Sequence, residues 1–120
     1  MGDKVGMEIT REGGFGIVAF KATCISDVEG IASASRQIKE FIEENRPKRV
    51  IFDFAEVKFF SSGLLGLLLD IRAKLQPYKG EVVVSAINPQ LHRVFKITNL
   101  DKIFKFFPDK ISAVKASGTD

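Results

Sequence analysis

The sequence predicts a single α/β domain with a mixed β-sheet and helices packed on it, and three observations carry that prediction. Short β-branched or apolar runs alternate along the 120 residues with longer stretches whose apolar residues recur at the helical period. Turn and cap residues stand at nearly every junction. Glycines join the first two runs and imply antiparallel neighbours, whereas the later alternation implies parallel neighbours with right-handed crossovers. The expected order is β β α β α β α β α.

Met7 to Thr10 and Phe15 to Ala22 read as strands joined through Arg11-Glu12-Gly13-Gly14, with Val18, Phe20 and Ala22 alternating with Ala19 and Lys21. Ser26-Asp27-Val28-Glu29 is a capping-box pattern with Ser26 as the cap. The helix it starts turns Val28, Ile31, Ala34, Ile38, Phe41 and Ile42 inward and leaves Arg36, Lys39, Glu40 and Glu43 to solvent, until Asn45 and Pro47 stop it. Val50 to Phe54 reads as a buried strand. The leucine-rich run that follows is a helix starting near Ser62; it buries Leu64, Leu67, Leu68, Ile71 and Leu75 and pairs Asp70 with Lys74 at i,i+4 on its outside. Gly63 and Gly66 each cost about 1 kcal/mol against alanine within a helix. Close backbone approach, or access to the helix N-terminus, accounts for them.

Pro77 and Gly80 end that helix, and Glu81 to Ile87 is again strand. Asn88-Pro89 caps a third helix with Leu91, Val94, Phe95 and Ile97 on its apolar face. A last strand lies within Leu100 to Phe107, and Pro108-Asp109 opens a final helix through Ile111, Val114 and Lys115. Ile51, Phe52, Leu68, Ile71 and Val83 are expected in the core. The ends, including Ser117 to Asp120, are expected to fray around a core of about residues 7–115.

A composition of 45% apolar and 28% charged residues is that of an ordinary soluble globular chain. Leu64 to Leu69 falls far short of the roughly 18 apolar residues of a spanning helix. The start Met1-Gly2-Asp3-Lys4 resembles no secretory signal, and Gly6 breaks the myristoylation pattern, so a cytoplasmic location is expected, without membrane insertion. Cys24, the single cysteine, cannot form an internal disulfide and is expected to be a small core residue. One Cys and one His make no zinc site, so no metal is expected; no phosphate-binding glycine motif occurs, so no nucleotide cofactor is expected either. The net charge of +3 is spread among fifteen acids. Arg46-Pro47-Lys48-Arg49, its densest cluster, reads as a solvated connection rather than a nucleic-acid surface.

The candidate site is Lys58-Phe59-Phe60-Ser61-Ser62-Gly63, between the Val50 strand and the leucine-rich helix. Two hydroxyls stand where the first turn leaves backbone N–H groups unpaired; N-capping is one role for them, and accepting a phosphate on the positive end of the helix dipole is another. Phe60 is expected near the surface as a partner anchor, with core burial the competing reading. A nucleophilic role for Ser62 with His92 as base lacks the G-x-S-x-G elbow.

The Val50 strand, the approach Asp53-x-x-x-Val57-x-Phe59, the serine pair before a leucine-rich helix, Gly80-Glu81-Val82-Val83, and Asn88-Pro89 followed by Arg93-Val94-Phe95 together resemble the STAS domain. More narrowly they resemble the small bacterial anti-sigma factor antagonists, from about Met7 to Val114. The resemblance implies a STAS-like fold, no cofactor and no enzymatic activity. It also implies binding of an anti-sigma factor that is a serine kinase, with release on phosphorylation; another STAS-containing protein is the alternative partner, and self-association stays open. The family's switch runs acid, Ser, Ser or Thr as acceptor, then Gly. Matching Ser61-Ser62-Gly63 directly makes Ser62 the acceptor and puts Phe60 at the acid, whereas an ungapped count from Asp53 to Glu81 puts Ser61 at the acid, Ser62 at the first serine and Gly63 at the acceptor. The ungapped count is favoured, because a strand-loop-helix unit tolerates compensating gaps poorly. Some STAS domains have alanine at the acceptor and serve as binding or scaffolding members, so the resemblance implies, as the alternative, a subunit of a signalling or transport complex. Ser62 and then Ser61 are thus the phosphorylation candidates, and Asp27, Lys58, Phe60, Ser61, Ser62, Gly63 and Gly66 the partner-binding ones. Asp27 stands where the family carries an acid near the switch, or serves as an acid at a helix N-terminus.

Overall fold

The computed structural model of the protein describes residues 6–118, apart from the side chains at 78 and 116–118. Seven strands and four helices follow one another as β1 (Met7–Glu12), β2 (Phe15–Phe20), β3 (Cys24–Ile25), α1 (Val28–Asn45), β4 (Arg49–Asp53), β5 (Phe59–Phe60), α2 (Ser62–Leu75), β6 (Glu81–Ser85), α3 (Pro89–Ile97), β7 (Lys105–Phe107) and α4 (Lys110–Gly118). Short 3-10 turns at Gln76–Tyr78 and Leu100–Lys102 complete the order. The main sheet runs β1-β2-β4-β6-β7. Its β1–β2 pair is antiparallel and the others parallel, as the glycine hairpin and the later crossovers predict. Gly13 takes φ of 61° in the hairpin turn, which glycine adopts without strain.

Strand alternation divides the interior into two layers. Val18, Phe20, Val50, Phe52, Val82 and Val84 face the larger core, shared with Ile38 of α1, Leu68 of α2 and Phe95 of α3. Ile17, Ile51 and Val83 face the other way and are covered by Ala113 of α4. All five residues expected in the core are buried: Ile51, Phe52, Leu68, Ile71 and Val83. Asn88 caps α3 as predicted, its side chain accepting from the Leu91 N–H at 2.9 Å. Asp109 caps α4 in the same way, and the Ser112 N–H at 2.7 Å holds its carboxyl below the usual carboxylate range.

Several local expectations are corrected. The cap of α1 is Asp27 rather than Ser26: its carboxylate accepts from the Gly30 N–H at 2.6 Å, so the helix begins with Val28, which is 80% exposed instead of buried. Cys24 is exposed because its strand neighbour Ile25 takes the inward position. Ile97, at the last turn of α3, points to solvent. Asp70 and Lys74 reach across to α1, Asp70 to Lys39 at 3.9 Å and Lys74 to Glu43 at 3.4 Å, rather than pairing with each other. Arg49, expected in a solvated connection, is instead the first residue of β4 and pairs with Glu81 on the adjacent strand. The expected fraying lies outside the described residues, except that α4 continues through Ser117 and Gly118.

Candidate functional site

The two-residue strands β3 and β5 build the site, because each ends just before a helix. They pair in parallel, Cys24 beside Phe59 and Ile25 beside Phe60. Thr23 O accepts from the N–H groups of Lys58 (2.8 Å) and Phe59 (3.0 Å), and Ile25 O accepts from Ser61 at 2.9 Å. Pairing the strands that lead into α1 and α2 sets the two helix N-termini side by side. The little ladder has one face in and one face out. Ile25 and Phe60 point inward, 1% and 7% exposed, while Cys24 and Phe59 stay exposed.

From that mouth a groove of about 800 Å³ runs between the helices. Val28, Ile31, Ala32, Ser35, Arg36 and Lys39 line one side at helical spacing, and Ser62, Gly63, Gly66, Leu67 and Asp70 the other. The groove exists because its walls are small. A methyl group built on Gly66 meets no atom within 4 Å, and one on Gly63 meets the Ile31 Cδ1 at 3.4 Å and the Ser61 hydroxyl at 3.5 Å, both ordinary contacts. Close backbone approach therefore accounts for neither glycine; both border open space in the groove. Ser26 and Ser61 stand at the mouth and the Lys39–Asp70 pair at the far end.

The two N-termini differ electrostatically. That of α1 carries Asp27 and Glu29, whereas the first turn of α2 has no acid and Ser61, its N-cap, makes no side-chain capping bond. The positive end of the α2 dipole is thus left without a compensating charge, and Ser62 is exposed as the first helical residue upon it.

Of the residues singled out from sequence, Ser61, Ser62, Gly63 and Gly66 come together in this groove, and Lys58 is exposed on the loop leading to it. Asp27 is exposed beside it with its carboxylate engaged in the α1 cap. Phe60 is corrected: it is not near the surface but inside, edge-to-face with Phe54 and Phe95 at centroid separations of 5.8 and 6.0 Å. The exposed aromatic is Phe59, 56% accessible, which sequence reasoning placed beside the site without choosing it. Val28, Ala32, Ser35 and Arg36 were not picked out as site residues either, and the i, i+4, i+7, i+8 spacing was the available signal. His92 does not line this groove; its ring packs at a tilt of 34° against Phe106, with centroids 4.4 Å apart. Among the described residues no group of His, Cys, Asp and Glu is arranged to hold a metal, and no helix is long and apolar enough to cross a membrane.

Comparison with known proteins fits this architecture. The family model of the STAS domain matches residues 8–113. An anti-sigma F factor antagonist of Paenibacillus polymyxa is 24% identical over 78 residues, which are 65% of this chain and 67% of that protein. The solved structure of the anti-sigma factor antagonist SpoIIAA in its unphosphorylated form superposes with a TM-score of 0.79 at 15% identity, covering 94% of this chain and 97% of that one. A sulfate transporter family protein from Wolinella succinogenes shares the fold at a TM-score of 0.71 and 16% identity, over 88% of this chain and 86% of the other. With the family match running from β1 into the first turn of α4, the chain belongs to the STAS domain family.

Proposed function

We propose that this domain is a regulatory protein-binding module that works as an anti-sigma factor antagonist does, capturing a partner at the mouth of the α1–α2 groove and carrying no enzymatic activity. The observation that supports this most is the exposed Ser62 at the uncompensated N-terminus of α2, with Phe59 exposed on the strand just before it. An aromatic anchor beside an open apolar groove is what a protein interface needs at its centre. The partner is an anti-sigma factor of the serine-kinase kind or another STAS-containing protein, met in the cytoplasm and without nucleic acid.

Control by phosphorylation belongs to the same reading, with Ser62 as acceptor and Ser61 second. A phosphate on Ser62 adds roughly 1.5–2 negative charges where the α2 dipole and the exposed Lys58 favour them, and it places three hydrated oxygens at the mouth of an apolar groove. Incubating the protein with its co-purified partner and ATP, then mapping phosphate by mass spectrometry, tests the switch. Phosphate on Ser62 together with loss of capture by Ser62→Asp supports it.

A second reading is favoured by Gly63 at the acceptor position of the ungapped count and by the acid-free first turn of α2. In it the domain is a constitutive binding or scaffolding subunit of a signalling or transport complex. Normal capture by both Ser62→Ala and Ser62→Asp, with no phosphate incorporated, selects this reading over the switch.

A further inference from the structure

The C-terminal part of the chain carries charge that the rest lacks. Across residues 86–118, Arg93, Lys96, Lys102, Lys105, Lys110 and Lys115 are set against Asp101 and Asp109, whereas the cations and acids of residues 1–85 cancel. The same part exposes large apolar side chains: Ile97 at 74%, Ile111 at 63% and Ile103 at 39%. Lys110, Ile111 and Lys115 belong to α4, across the sheet from α3, whereas Arg93, Lys96, Ile97, Lys102 and Ile103 follow one another along α3 and the segment after it.

The second group is centred on the end of α3 and the turns after it. Arg93, Lys96 and Ile97 form the outward ridge of α3, opposite the buried Leu91 and Phe95. The chain then folds into two tight turns, Asn99 N–H donating to Lys96 O at 3.1 Å and Ile103 N–H to Leu100 O at 3.1 Å. Lys96, Ile97, Lys102 and Ile103 are thereby gathered within eight residues, with Asp101 the one acid among them. Lys105 is occupied by Glu81 at 3.3 Å, but no carboxylate among the described residues pairs with Arg93, Lys96 or Lys102.

We propose that this patch docks the domain peripherally on an anionic lipid surface, Ile97 and Ile103 entering the headgroup boundary while Arg93, Lys96 and Lys102 meet lipid phosphates. Charge complementarity names the occupant's sign, and the shape of the patch selects its class. Centres of protein interfaces are depleted of charge, and lysine in particular is scarce there. A headgroup layer, by contrast, takes isolated protruding apolar groups flanked by cations and needs no matching pocket. Peripheral docking asks for no spanning helix.

Co-sedimentation of the full chain with phosphatidylcholine vesicles, with and without phosphatidylglycerol, tests the proposal. Expected is binding to the anionic vesicles alone, weakened by salt. The Lys96→Glu/Lys102→Glu variant should bind at least about fivefold more weakly for each cation lost, and Ile97→Ser about tenfold more weakly. Circular dichroism melts of both variants, unchanged from the parent because these side chains are exposed, guard against misfolding. No preference for anionic vesicles, or undiminished binding by the charge-reversed variant, overturns the proposal. So does binding to polyglutamate without binding to vesicles, which assigns the patch to an acidic protein.

Discussion

Truncating two adjacent phenylalanines should give opposite results, because β5 turns one in and the other out. Phe60 is 7% exposed and packs edge-to-face on Phe54 and Phe95. Phe60→Ala removes a ring from a close-packed core, which costs about 3–5 kcal/mol, against a total of about 5–15 kcal/mol for a domain. At roughly 4 °C per kcal/mol for a chain of this size, the melting temperature should fall by about 12–20 °C. Phe59 is 56% exposed, so Phe59→Ala should change stability by no more than about 0.5 kcal/mol. As an anchor, however, its loss should weaken partner capture by about 2 kcal/mol, or roughly thirtyfold. Thermal melts by circular dichroism and titration with the co-purified partner read the two quantities separately. A Phe60→Ala protein melting within a few degrees of the parent, or a Phe59→Ala protein that is strongly destabilised, would refute the assignment of faces in the β3–β5 ladder.

Gly66→Ala should stabilise the protein by up to about 1 kcal/mol in a denaturant titration, since the added methyl meets nothing within 4 Å and alanine favours the helix; Gly66→Leu should keep the fold yet fill the groove and lower capture at least about tenfold, by the cost of losing one good anchor. Ser85 is fully buried on β6 and its hydroxyl has no hydrogen-bond partner, so Ser85→Ala should be neutral or stabilising by about 1 kcal/mol in the same titration, and a loss of that size would show that the hydroxyl is satisfied. A methyl at Gly16 on β2 would stand 2.6 Å from the Phe41 ring, so Gly16→Ala should push that ring aside and destabilise by about 1–3 kcal/mol, read as an earlier unfolding midpoint.

How legible the molecule was in its sequence depended on element length. The helices α1 and α2, at 18 and 14 residues, repeat their apolar period often enough to be read directly. Strands β3 and β5 have two residues each, too few for any period, and so they were not anticipated. Much of the misreading at the site follows from those two. Alternation says that Phe59 and Phe60 face opposite ways, but only the pairing of β5 with β3 decides which is inside, and the same pairing exposes Cys24. The groove is a property of two helices in contact. Its trace in the sequence is the small residues Ala32, Ser35, Gly63 and Gly66, which acquire a meaning once α1 and α2 are side by side. Likewise Asp70 and Lys74 have the spacing of an intrahelical pair, and the neighbouring helix offers Lys39 and Glu43 instead.

The central claim is that a partner docks where the N-termini of α1 and α2 meet. Hydrogen–deuterium exchange of the protein, alone and bound to its co-purified partner, tests that most directly. Protection on binding should concentrate in residues 58–70 and 26–39, with the smaller change at the sheet's β1 and β7 edges. Protection confined to those edges or to α4, with the α1–α2 groove exchanging as in the free protein, would contradict it.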